Sequence, residues 1–199
     1  MADDSPATPG RWIGMGWDIV REDLGTFILM TLIALALAIV GNFIVAGPLL
    51  AGMFMAVRRR MLERRMDLGD LFNGFTLFID AFLIFAISAI FSLIGLAFCV
   101  FPILIVMALY LFPYLYLVDR RQSFWDAMES SRKLVGRHLL DYIVFGVLLL
   151  LLNLLGLILL GVGVLITIPI SVAAVAVAYK ESVGFNYRPA ESHRPVVIE

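Results

Sequence analysis

The chain contains one cysteine, Cys99, and two histidines, His138 and His193. A lone cysteine excludes an intrachain disulfide and a cysteine metal cluster, and no partner stands at ligand spacing from His138. His193 falls in a polar tail, so no metal site is expected. Charge is scarce as well: 16% of the residues are Asp, Glu, Lys or Arg, against about a quarter in a soluble domain. No Ser/His/Asp set, HExxH, GxGxxG or phosphate-binding loop occurs, and no polar stretch is long enough to host one. The N-terminus, Met1 to Ser5, carries acids and no base, and no cleavage site follows the first apolar run, which is therefore expected to be retained. These absences read as a non-enzymatic protein with no cofactor. At a net charge of −1, nothing points to nucleic acid.

Apolar residues are abundant instead, at 62% of the chain, with a mean hydropathy of +0.98. They are gathered in long uncharged blocks, as in a chain dissolved in lipid. The blocks are punctuated by charge, most densely at Arg58, Arg59, Arg60, Arg64 and Arg65. This pattern predicts an all-α integral membrane protein with six transmembrane helices, at about 25–41, 43–57, 76–98, 102–118, 139–155 and 164–179. The first two are short: fifteen to seventeen residues reach only about 22–26 Å against a hydrocarbon core of about 30 Å. Either the bilayer thins locally or the pair is a hairpin that stops short of the far face, and a true crossing is the favoured expectation. On the six-span reading all fifteen basic residues fall on one side. The positive-inside rule then puts both termini in the cytoplasm.

One pattern occurs three times: an amphipathic segment, an apolar span, a chargeless turn and a second span. Its aromatic starts are Trp12–Trp17, Leu71–Phe72 and Phe124–Trp125, giving units of about 12–66, 67–122 and 123–183. Residues 1–11 read as a disordered N-terminus and 184–199 as a mobile tail. The spans thus form three parallel helical hairpins, each preceded by a cytoplasmic amphipathic segment. In the first segment Ile13, Trp17, Val20 and Leu24 recur at helical spacing, suiting either a membrane-surface helix with Trp at headgroup depth or an entry helix packed on the bundle. Asp67, with Asp70 at the third position, and Ser123, with Asp126, are expected caps. Phe124, Trp125, Met128 and Val135 share one face of the third segment. Gly47, Ala51, Gly52 and Ala56, and later Ser171, Ala174 and Ala178, offer small faces for close helix contact or a homo-oligomer. Pro48 and Pro169 are expected to open their helices, and Pro113 to kink the fourth span unless a neighbour satisfies the carbonyl it frees. Tyr110, Tyr114 and Tyr116 read as an interfacial belt.

The run Gly47-Pro48-Leu49-Leu50-Ala51-Gly52-Met53, closing in Arg58-Arg59, resembles a family of uncharacterised bacterial multi-pass proteins, as does Ala127 to Val135. That family is similar to the membrane portion fused to some glycerophosphodiester phosphodiesterases. The resemblance covers roughly residues 12–183 and implies a six-helix bacterial inner-membrane protein. It implies no catalytic residues, because the soluble phosphodiesterase half is absent here.

Candidate contacts with lipid headgroups are Arg58, Arg59, Arg60, Arg64 and Arg65, with Arg132 and Lys133 on the third amphipathic segment. Each such charge adds about 1 kcal/mol near an anionic surface, although setting topology would by itself account for the cluster. Candidate polar sites in the membrane are Asp80, Asp141, His138 and Asn153. Asp141 has Arg137 and His138 within reach along one helix face, so an interfacial ion pair or cap competes with a proton or ion site. Asn153 suits an interhelical hydrogen bond. Asn42 reads as a turn residue, and Ser88 and Ser92 share one face of the third span. The expectation is a protein that binds membrane lipid, anionic on the cytoplasmic face, or organises the membrane or envelope. The alternative is a small transporter or channel lined by Asn153, Ser88, Ser92 and the acids.

Overall fold

The computed structural model describes residues 8–41, 44–97, 100–159 and 161–186, with backbone alone for 95–97 and 100–103. Asn42, Cys99, His193 and all but the first three residues of the expected C-terminal tail lie outside these, as do 1–7 of the N-terminus. The protein is all-helical, with no strand among the described residues. Three helical runs are long and apolar enough to cross a membrane: Gly69–Ile94, Leu139–Ile158 and Val164–Ser182. A fourth is reached if the bent pair Pro9–Glu22 and Leu24–Val40 is taken as one span.

Helix α1 (Pro9–Glu22) starts three residues before the amphipathic pattern does. Pro9 supplies the reason: at a first helical position its missing N–H is no loss and its φ is already helical. The chain turns through 98° at Asp23 into α2 (Leu24–Val40). Helix α3 (Ala46–Glu63) carries Pro48 in its first turn and runs unbroken through Arg58, Arg59 and Arg60. It stops where Arg64 takes a left-handed φ of 56°. A short α4 (Gly69–Asn73) and a tight turn at Gly74–Leu77 lead into α5 (Phe78–Ala97). Asp67 stands one residue further from α4 than a cap would, yet its carboxylate accepts the Gly69 amide at 3.4 Å, and the Asp70 carboxylate reaches back to accept the Asp67 amide at 3.0 Å.

The fourth apolar block is two helices, α6 (Val100–Leu109) and α7 (Pro113–Arg120). Pro113 cannot donate to Leu109, and Ser131 takes over the freed carbonyl. Its hydroxyl donates to the Leu109 oxygen at 2.6 Å and accepts the Phe112 amide at 3.3 Å. Then follow α8 (Phe124–Arg137), capped by Ser123 as expected, α9 (Leu139–Ile158) and α10 (Val164–Ser182). Pro169 lies inside α10, in its second turn, and does not open it.

Packing closes a cycle. Helix α3 lies on α5, α6 on α9, and α10 on α2. The amphipathic elements obey the same rule, each seated mainly on a helix that precedes it in this cycle: α4 and its turn on α3, α8 on α7, and α1 on α10. The seats are alike. An added Cβ on Gly16 would stand 2.8 Å from the Ala174 nitrogen and 2.9 Å from the Ile170 oxygen, so α1 and α10 touch backbone to backbone. Gly74 rests in the same way on the Pro48 oxygen and Gly52 nitrogen, and Ser131 on Leu109 and Phe112. Pro48, Leu109 and Ile170 recur at equal steps of the chain, the same 61 residues that separate Arg58 from Asp119. Gly47 also meets the Ala81 backbone of α5, so the small faces of α3 and α10 are used within the chain.

The buried residues concentrate on α3, α7 and α10, whereas α2, α5 and α9 turn Ile39, Ile79, Leu93, Leu140 and Leu157 outward. That distribution corrects three sequence expectations. Helix α1 buries Trp12, Gly16 and Val20 and leaves Trp17 at the surface, because the closest approach selects glycine and not the larger side chain. Helix α8 buries Ala127, Met128, Ser131 and Val135 and exposes Trp125. The tyrosines form no outward belt: Tyr114 stacks on Phe54 at 6.0 Å and Tyr116 meets Tyr179 edge-on at 5.1 Å. The break before Pro113 resets the helical phase and turns these rings inward.

Candidate functional site

The charged ends of α1, α3, α7 and α10 meet in one layer. Arg58 Nε donates to Asp119 Oδ1 at 2.7 Å, and the Asp119 side chain is wholly buried. The Asn186 amide donates to both oxygens of Asp119, at 3.1 and 3.0 Å, and the Tyr179 hydroxyl to Oδ2 at 3.4 Å. Arg58 in turn reaches the Asn186 carbonyl at 3.2 Å and covers the Phe185 ring at 5.8 Å. Residues 184–186, expected in a mobile tail, are thereby fastened to α3 and α7. A buried pair of this kind is well served when its remaining lone pairs are also hydrogen-bonded, as they are here.

The next two arginines are engaged too. Arg59 pairs with Asp70 at 2.8 Å and Glu63 at 3.2 Å, and these carboxylates, Asp70 first, raise its guanidinium above the ordinary value. Asp70 is almost fully buried. Arg60 clamps Glu22 at 3.0 Å and Asp23 at 2.9 Å, holding the bend between α1 and α2. Glu181, at the end of α10, receives Arg11 at 2.7 Å and the Trp12 indole at 2.6 Å. Arg58, Arg59 and Arg60 therefore serve the fold first. Arg64 and Arg65 are exposed; Arg64 has only a 4.0 Å approach to Glu22.

On α8, Arg132 and Lys133 meet Glu129 at 2.6 and 3.4 Å. Arg132 first, with Lys133 beside it, holds the Glu129 carboxyl below the usual carboxylate range. The four polar candidates are not brought together. Asp80 accepts the Phe124 amide at 3.1 Å and so anchors the start of α8. His138, just before α9, and Asp141, in its first turn, are exposed neighbours at 3.9 Å. Asn153 bridges α9 to α10, donating to Leu149 O at 2.8 Å and Ser171 Oγ at 2.7 Å. Ser88, Ser92 and Ser171 do converge, with Tyr110, on a mainly apolar cavity of about 410 Å3 between α3, α5, α6 and α10. Among the described residues no group of His, Cys, Asp and Glu is placed to hold a metal ion.

Sequence reasoning passed over Asp119, Glu181 and Asn186, and gave Asp70 a capping role but no ion pair with Arg59. One signal was available for Asp119. It stands at the position that Arg58 and Lys180 occupy in the other two units, so the repeat reverses its charge there. Compared with family models, curated proteins and solved structures, the chain matches none.

Proposed function

We propose that the chain is a six-span bacterial inner-membrane protein, three hairpins of common orientation, that binds anionic phospholipid on its cytoplasmic face without catalysing a reaction. The observation that carries this reading is the charged layer: the ends of α1, α3, α7 and α10 converge there, while outward positions of α2, α5 and α9 are apolar. Arg64, Arg65, Arg120 and Arg137 remain exposed around the layer, and Trp17 and Trp125 turn outward from the amphipathic helices α1 and α8. Exposed cations beside aromatic-bearing amphipathic helices are what an anionic leaflet attracts. The resemblance to bacterial multi-pass proteins agrees with this.

Two measurements test it. With Cys99→Ala as background, a cysteine at Val162 is expected to react with a membrane-impermeant maleimide from outside, and one at Arg65 only after permeabilisation. Reaction of both from one side would refute the six-span topology. In nanodiscs of mixed phosphatidylglycerol and phosphatidylcholine, native mass spectrometry is expected to show preferential retention of phosphatidylglycerol, weakened by salt. Equal retention of the two lipids would end the lipid-binding reading.

The cavity lined by Ser88, Ser92 and Ser171 favours a second reading, a small transporter or channel. A few hydroxyls, from Ser88, Ser92, Ser171 and Tyr110, among apolar side chains make a poor aqueous path, so this reading ranks behind. Solute flux through purified protein in vesicles, abolished by Ser92→Phe, would reverse that order.

A further inference from the structure

We propose that the cleft between α7, α8 and the end of α10 binds a single phosphate ester, with the headgroup of an anionic phospholipid as the source expected at this end of the molecule. The proposal rests on the lipid-binding reading for that source, not for the cleft. The cleft has a volume of about 630 Å3, inside the range of small-ligand sites. Arg120, Lys133, Arg137 and Lys180 line it, and Glu181 is its only carboxylate. That carboxylate is already shared between Arg11 and Trp12. Among the described residues Arg120, Arg137 and Lys180 take part in no ion pair, and Lys133 has only the 3.4 Å contact with Glu129. Elsewhere in the layer Arg11, Arg58, Arg59 and Arg60 each meet a carboxylate closely; here four cations converge on a concave surface, and Glu181 is the one carboxylate of its lining. Such a field concentrates an anion, and guanidinium forks suit phosphate oxygens.

Gln122 adds an independent observation. It lines the same cleft, and its Oε1 is buried with no donor among the described residues. A buried acceptor left unmatched is unfavourable, so the site suits a ligand that brings a hydroxyl or ammonium donor beside its anion. Phosphodiester headgroups with a free hydroxyl or ammonium have that composition, as in a smaller way does inorganic phosphate with its own hydroxyl; a halide does not. Arg120 is held over the Tyr116 ring at 5.9 Å at the edge of the cleft, which preorganises one of the four cations.

The test compares two exposed double variants, Arg137→Gln with Lys180→Gln in the cleft and Arg64→Gln with Arg65→Gln outside it. Native mass spectrometry from phosphatidylglycerol nanodiscs is run beside calorimetric titration with inorganic phosphate in detergent. Loss of two cations from one site is expected to lower retention of a single phosphatidylglycerol about tenfold or more, and loss of the outer pair less than about twofold. Arg137→Lys with Lys180→Arg should recover most of the binding and shows that the cleft variant fails through charge, not folding. Phosphate binding that needs the cleft pair, without lipid retention, would keep the cleft and overturn the lipid reading. Equal losses in both pairs, or in neither, would overturn the cleft and leave a diffuse lipid preference standing. Binding of neither probe would overturn both.

Discussion

Asp119→Ala is expected to destabilise the folded protein by about 3–5 kcal/mol, the range for breaking a buried ion pair from one side. The substitution removes the carboxylate that receives Arg58, the Asn186 amide and Tyr179. Three donors lose their acceptor, and a largely covered guanidinium keeps its charge without a partner. The loss should be visible as a lower SDS fraction at half-unfolding, followed by circular dichroism, and as release of residues 184–186 to proteolysis. Asp119→Leu combined with Arg58→Met should recover much of the stability, because replacing both members by apolar groups relieves the stranded charge. A fall of under about 1 kcal/mol for Asp119→Ala would show that water serves the site and that the pair behaves as a surface bridge. The measured coupling between the two positions separates these outcomes.

Local chemistry was legible in the residues. Ser123 and Asp126 announced the start of α8, and Pro113 announced a break whose freed carbonyl needed a donor. Asn153 in an apolar run announced an interhelical hydrogen bond, whose partner is Ser171. What could not be read depends on contacts between distant segments. Arg60 finds Glu22 across 38 residues and Arg58 finds Asp119 across 61, so a cluster that looked like free charge is half consumed by the fold. Facing was obscure for a different reason. The apolar side of α1 is wide, holding Trp12, Ile13, Gly16, Trp17 and Val20, so polarity gives its general direction but not its centre, and Ile13 and Trp17 look as fit to be buried as Trp12 and Gly16. Close helix contact ranks side chains by size, which hydrophobic periodicity does not measure. The wrong face of α1 and the outward Trp125 share that cause. Charge reversal within a repeat was the one long-range signal on the page, at Arg58, Asp119 and Lys180.

Gly16→Ala and Gly14→Ala, two residues apart in α1, are expected to act with opposite sign. At Gly14 a new Cβ meets nothing within 4 Å, so the change should stabilise by up to about 1 kcal/mol through helix propensity alone. At Gly16 the same methyl would press on the Ala174 nitrogen and Ile170 oxygen, at 2.8 and 2.9 Å. These are backbone atoms of a helix and cannot swing aside, so α1 must lift from α10 at a cost of about 1–3 kcal/mol. Gly52→Ala should be worse still, because its Cβ would overlap the Leu71 carbonyl and break the seat of α4 on α3. The three midpoints in one SDS titration series should fall in the order Gly14→Ala, Gly16→Ala, Gly52→Ala, from most to least stable. If Gly16→Ala matched Gly14→Ala, α1 would not be seated on α10, and the cycle of amphipathic elements on neighbouring helices would be open at that point. The order matters beyond stability. Lys180 and Glu181 reach the basic cleft from the end of α10, and α1 holds Glu181 there through Arg11 and Trp12. A lifted α1 frees that carboxylate, and phosphatidylglycerol retention should then weaken along with the midpoint in Gly16→Ala but not in Gly14→Ala.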